Sequence, residues 1–305
     1  MISVVLPNYN GKKLLEKNLP GIIKALNKWE GLSEIVVVDD ASGDDSVSFL
    51  KEKYPKVRII IHEKNQRFAK SCNDGVINAK GEIIILLNTD VSPSEDFLKP
   101  LLNVFKDKKV FAAGCSEKSI FRGKELISGR AIGYFKRGFL VHSRAKDQTK
   151  NNTLWAFAGS SAYRKDVWLN LNGLDTLFKP AYAEDLDISY RALKSGYKVV
   201  FVPEAQVFHN HETTNIQFLG KQNMAIAAYK NQFIFVWKNI TDKNLILSHL
   251  FWLPYHLLFD TVKTKGLFLI GFLKALVNLA QIIKKRNKAK PMFIFSDAQI
   301  LERFR

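Results

Sequence analysis

Runs of consecutive apolar residues alternate with helical stretches through residue 87, and few folds accommodate that pattern. Ile35-Val36-Val37-Val38 and Ile83-Ile84-Ile85-Leu86-Leu87 are apolar at every position. Strands of this kind are covered on both faces, as parallel strands between two helical layers are. The spacing predicts strands over 2–6, 34–38, 57–61 and 82–87. Between them it predicts helices over 14–29, 46–54 (closed by Pro55) and 69–79 (before Gly81). Strand–helix alternation of this kind specifies a doubly wound α/β sheet. Such sheets bind ligands beyond the carboxyl ends of their strands.

From about 110 to 205 the pattern is mixed, with strands expected over 154–158 and 199–202 and a helix over 187–195, stopped by Gly196. Beyond residue 235 the character changes, with twelve Lys/Arg against four Asp/Glu in the most apolar part of the chain. The runs 245–259 and 267–283 are shorter than the roughly 20 residues a spanning helix needs, and polar residues interrupt both. In the second run Lys274, Asn278, Gln281 and Lys285 follow at steps of four, three and four, which would gather them on one helix face. The expectation is therefore a catalytic domain over 1–235 and a basic, amphipathic helical region over 236–305. That region lies on an anionic membrane surface, or packs internally or in a homo-oligomer, with true spanning the least favoured of the three.

A net charge of +17 calls for a polyanionic partner. No aromatic-basic ribonucleoprotein box or zinc-finger spacing is present, so nucleic acid is not expected. Cys72 and Cys115 form no metal or disulfide pattern and read as small buried hydrophobes in a reducing compartment. The chain opens directly on strand residues without a basic signal-like leader, so a cytoplasmic location is expected, peripheral at the inner face of the membrane.

Polar clusters stand at the predicted strand ends: Pro7-Asn8-Tyr9-Asn10, Asp39-Asp40-Ala41-Ser42 and Asn88-Thr89-Asp90. Glu184-Asp185-Leu186-Asp187 and His209-Asn210-His211 follow later. Singly, each reads equally well as a helix cap or a turn. Together with Asn65-Gln66-Arg67-Phe68-Ala69, Asn73, Ala158-Gly159-Ser160-Ser161 and Gly173-Leu174-Asp175, their order resembles glycosyltransferase family 2 over roughly residues 2–211. The Asn-x-Asp form at 88–90 is most similar to the rhamnosyltransferase-type members.

The resemblance implies a GT-A fold, a mixed doubly wound sheet that binds a nucleotide-sugar. Tyr9 would offer its ring to a pyrimidine, with Pro7 alongside. Asp39 would accept from the base imide N–H, which selects a UDP- or dTDP-sugar, and Arg67 would sit by the base or phosphates. Asp90 would bind a divalent cation, Mg²⁺ or Mn²⁺, with His209 (or His211) completing its shell. Asn88 stands where many members carry the first carboxylate, so it would contact sugar or ribose. Gly159 would let the backbone approach the donor or acceptor.

Asp185 would be the general base of an inverting, non-processive transfer to a glycan or lipid-linked acceptor presented at the membrane, in surface polysaccharide synthesis. Glu184 and Asp187 are its local competitors, although Asp187 could pair with Arg191 four residues on. A sugar-phosphate nucleotidyltransferase would need a Gly-rich loop with Arg after the first strand. A processive synthase would need Gln-x-x-Arg-Trp, and neither motif is present. A catalytically degenerate, membrane-associated binding subunit is the alternative that Asn88 supports.

Overall fold

The computed structural model describes residues 1–121, 123–209 and 214–304. The predicted alternation forms: β1 (Ile2–Asn8), α1 (Lys12–Lys28), β2 (Ser33–Asp39), α2 (Ser46–Lys53), β3 (Arg58–Ile61), α3 (Phe68–Asn78) and β4 (Ile83–Leu87). Then come β5 (Val91–Pro93), α4 (Leu98–Asn103), β6 (Val110–Phe121), β7 (Lys124–Ser128), β8 (Ala131–Lys136) and β9 (Phe139–Arg144). They are followed by β10 (Ser160–Arg164), α5 (Lys165–Asn170), α6 (Glu184–Lys194) and β11 (Lys198–His209).

The main sheet runs β3-β2-β1-β4-β10-β6-β11-β5, with β7 on β6; β8 and β9 form a separate hairpin. Strands β3, β2, β1 and β4 are parallel, and the antiparallel β10 begins the mixed half. Alternate residues of the buried strands face opposite helical layers. Val4, Leu6, Val37 and Ile85 join α1, α2 and α4 on one side, whereas Val5, Val36, Val38 and Ile84 join α3, α5 and α6 on the other. Burial on both faces is what the continuous apolar runs required. Two glycines permit close approach at β1: a Cβ on Gly81 would lie 2.5 Å from the Ser3 amide nitrogen, and one on Gly75 would lie 2.3 Å from Val5 Cγ1.

Two local expectations fail. Residues 154–158 are not a ladder strand; Leu154, Trp155, Ala156 and Ala158 are buried with Phe157 partly so, and pairing begins at Ser160. Hydrophobicity alone does not separate a buried connection from a strand. The strand expected over 199–202 runs on to His209, because β6 and β5 supply partners along its length.

The last part is helical: α7 (Thr214–Asn239, broken at Gly220), α8 (Lys243–Tyr255), α9 (Thr261–Lys263), α10 (Leu267–Val277), α11 (Leu279–Ala289) and α12 (Asp297–Glu302). A π-turn over His256–Asp260 joins α8 to α9, giving 21 helical residues from Lys243 to Lys263. By length and composition that helix could cross a bilayer, so the expectation that it is too short does not hold. The second run also differs. It bends by 63° between Val277 and Leu279, so Lys274 and Asn278 do not share a helix face with Gln281 and Lys285. Residue 235 falls inside α7, and Phe233, Phe268, Ala275 and Ile282 belong to the same core cluster as α3 and α6.

Candidate active site

The register brings the polar clusters to one edge. Pairing of Asn8 with Asp39 aligns the ends of β1 and β2, and Ser160 opposite Leu87 sets Gly159 beside Asn88. Pairing of His209 with Val91 and of Val207 with Glu117 holds His209 between Asp90 and Glu117. The result is a cavity of about 1360 Å³ lined by Pro7, Tyr9, Arg67, Asn88, Asp90, Gly159, Asp185 and His209.

Asp39 is absent from that lining. It is buried, with Oδ2 accepting from Asn8 Nδ2 (2.8 Å) and Oδ1 from the Ser42 amide (3.0 Å). Asp40 lines the cavity instead and accepts from the amides of Gln66 (2.7 Å) and Arg67 (2.8 Å). Those bonds hold Arg67 at φ 74°, a conformation costly for a side-chain-bearing residue, with its exposed side chain at the N-terminus of α3. The loop after β1 is tied to the loop after β2 by Asn10 N–H to Ser42 Oγ (2.9 Å) and Gly43 N–H to Asn10 Oδ1 (2.7 Å).

Asn88 and Gly159 are interdependent. The Asn88 amide donates to the Gly159 carbonyl (2.8 Å), and a Cβ on Gly159 would lie 2.4 Å from Asn88 Nδ2. The glycine makes room first of all for this side chain.

His209 Nε2 lies 3.3 Å from Asp90 Oδ1, and its Nδ1 lies 3.4 Å from Glu117 Oε2. Burial opposes protonation of the imidazole, but hydrogen bonds and charge from Asp90 and Glu117 outweigh it and hold the pKa up at about 10. Glu117 is itself buried, and Ser160 and Ser128 donate to it. A histidine backed by a carboxylate is a common arrangement behind a metal ion. Among the described residues no group of three or more His, Cys, Asp or Glu could hold a metal ion. Asp90 and His209 thus fit a divalent cation only if a ligand's oxygens complete its shell. His211 lies outside the described residues.

Asp185 stands at the start of α6, after Tyr182 (φ 71°) and Ala183 (φ 75°), two strained residues in succession. Its Oδ1 accepts from the Leu186 amide (2.8 Å). Burial raises its pKa to about 6, against backbone hydrogen bonds that lower it. Burial and then the charge of Asp185 raise Glu184 to about 8. Glu184 also lines the cavity, and its Oε2 has no hydrogen-bond partner among the described residues.

Asp187 faces away from the cavity and is fully buried. Arg191 Nη2 donates to it (2.7 Å), as do Lys238 Nζ (2.7 Å) and Asn239 Nδ2 (2.9 Å). The i,i+4 pair with Arg191 was legible in the sequence; Lys238, 51 residues away, was not. Asn73 closes on the glycine motif, giving to the Leu174 carbonyl (2.8 Å) and accepting from its amide (2.9 Å). Sequence reasoning missed Glu117, whose one signal was a carboxylate flanked by Ser116 and Lys118 at the end of an apolar run.

With this geometry in place, the comparisons decide the family. The model for glycosyl transferase family 2 matches residues 3–169. The chain belongs to glycosyltransferase family 2. The O-antigen chain rhamnosyltransferase WbaN of Salmonella anatum is 25% identical over 187 residues, covering 60% of this chain and 58% of that protein. Among solved structures, S. aureus TarS 1–349 in complex with UDP-GlcNAc superposes at a TM-score of 0.58 with 15% identity, covering 96% of this chain and 84% of that one. The mannosyltransferase PcManGT from Pyrobaculum calidifontis, in complex with GDP-Man and Mn²⁺, gives a TM-score of 0.55 with 15% identity, covering 99% and 84%. At such identities the structures speak for the fold alone, and this glycosyltransferase has the GT-A fold.

Proposed function

We propose that this glycosyltransferase moves a sugar, with inversion, from a UDP- or dTDP-sugar to a glycan or lipid-linked acceptor presented at the cytoplasmic face of the membrane. The observation that carries the reading is that Asp185, Asp90 and His209 line one cavity at the carboxyl edge of the parallel strands. Tyr9 and Pro7 form the wall for the base. A base imide N–H would reach Asp39 only by sharing an oxygen that already serves Asn8 or Ser42.

Asp185, ionised, takes the acceptor hydroxyl's proton as that oxygen attacks the anomeric carbon from the face opposite the diphosphate. The sugar–diphosphate bond breaks and its electron pair stays on the diphosphate. Asp90 and His209 would hold a divalent cation, Mg²⁺ or Mn²⁺, which supplies neutralisation of the leaving diphosphate. Glu117 orients His209, and Asn88 meets the sugar or ribose. The exposed apolar side of residues 236–305 is the surface facing the membrane.

The test is a panel of nucleotide-sugars with and without Mn²⁺, scored by released nucleoside diphosphate and by thermal shift. Selective turnover or stabilisation by a UDP- or dTDP-sugar, removed by chelation, supports the reading. No binding of any donor would leave the degenerate binding subunit as the better account.

A further inference from the structure

The helix Lys243–Lys263 is fastened along one side and bare along the other. His249 Nδ1 donates to the Gly138 carbonyl (2.7 Å), and His256 Nε2 contacts the Arg137 carbonyl (2.7 Å). The two histidines are seven residues apart and share a face, so the helix lies along the β8–β9 turn. Gly138 allows the approach: a Cβ there would lie 2.8 Å from His249 Cα. On the opposite face Leu247, Phe251, Leu258 and Val262, at steps of four, seven and four, are open to solvent, Phe251 by 77% and Val262 by 76%. Helix α10 continues the pattern. Phe268, Gly271 and Ala275 pack inward, while Leu273 and Val277 (86% exposed) point out. An exposed apolar face of this extent is covered by something.

We infer that this face lies flat in an anionic lipid leaflet, with a lipid phosphate seated in the cavity beside it. That cavity, about 400 Å³, is lined by Lys136, Arg137 and Lys263 around the His256–Asp260 pair. Arg137 also stacks 5.2 Å over Trp252, a pairing of cation and aromatic suited to the headgroup level. Charge selects the occupant: Lys136, Arg137 and Lys263 line the cavity beside the face against a single carboxylate, Asp260. A second copy would bring the same positive charge to the face, whereas anionic headgroups complement it. A perpendicular, spanning pose would carry the polar β8–β9 turn, fixed to the helix by both histidines, into hydrocarbon. The docking deepens the membrane-presented part of the proposed function.

The experiment is co-sedimentation of the full chain with vesicles of phosphatidylcholine alone, or of phosphatidylcholine with phosphatidylglycerol, at low and high salt. Binding should be at least about tenfold tighter with phosphatidylglycerol and should weaken with salt. The exposed-face variant F251E/V262E/V277E should lose binding with an unchanged melting temperature. The cavity variant K136A/R137A/K263A should fall to the level seen on phosphatidylcholine. Equal binding of both vesicle types, or unchanged binding by F251E/V262E/V277E, overturns the inference. So does a wild-type dimer that the same variant splits without altering vesicle binding. Donor turnover without vesicles reads the catalytic proposal separately: turnover without vesicle binding removes only the docking, and vesicle binding without turnover removes only the transferase.

Discussion

Lys238 Nζ on α7 lies 2.7 Å from Asp187 Oδ1 on α6, two residues past Asp185. The same ammonium reaches Asp175 Oδ2 at 2.6 Å, and Lys285 on α11 also pairs with Asp175. The helix that carries Asp185 is thus anchored by charges from the C-terminal helices. Removing one partner of a buried pair leaves the others uncompensated. Lys238→Met should cost about 3–5 kcal/mol of unfolding free energy in urea titration. A loss under about 1 kcal/mol would show that the cluster does not hold α6.

Asp185→Asn should lower transfer by about 10²–10⁴-fold while donor affinity, read by thermal shift, stays within a few-fold. Parallel loss of donor binding would show that Asp185 organises the site rather than accepting the proton.

The pH profile follows from the raised pKa of Asp185. A base works only when ionised, so kcat/KM should be flat above the folded pKa and fall as pH drops through about 6. The slope should approach tenfold per pH unit below it. A carboxylate at its ordinary value of 3.8 would keep the profile flat to well below pH 5, and that outcome would contradict the burial argument.

Glu117 touches His209 and is assigned no contact with the reacting atoms. Glu117→Gln should raise the Mn²⁺ concentration for half-activation by about 10–100-fold, with kcat at saturating metal changed far less. An unchanged metal requirement would remove Glu117 from the support of His209.

Gly159→Ala should push Asn88 aside, because its Cβ would fall 2.4 Å from Nδ2. The expected cost is about 1–3 kcal/mol with a raised KM for the donor. Asn88→Ala in the same chain should return most of the stability; a purely additive double mutant would show that Gly159 answers to some other neighbour.

The parallel half of the sheet and most of the cavity wall were legible in the sequence, because continuous apolar strands and strand-end polar residues are local signals. What escaped has a shared physical cause. Glu117 and Lys238 act through contacts 92 and 51 residues distant, with His209 and Asp187, and no window of sequence contains both partners. Asp39 escaped differently: its motif was readable, but whether its oxygens face the cavity or Asn8 depends on the turn at Ser42. The bend between α10 and α11 passed unnoticed because apolar composition continues across Asn278 while the backbone does not.

The cavity's wall reaches from Pro7, on the first strand, to His209, at the end of the last. During synthesis the half that carries Pro7 and Tyr9 emerges first, and its apolar strands can form a sheet well before the ribosome delivers β11. The pocket therefore closes late. A nascent chain stopped before residue 209 would carry Pro7 and Tyr9 yet lack the imidazole opposite Asp90, so the proposed donor site would be complete only near the end of folding.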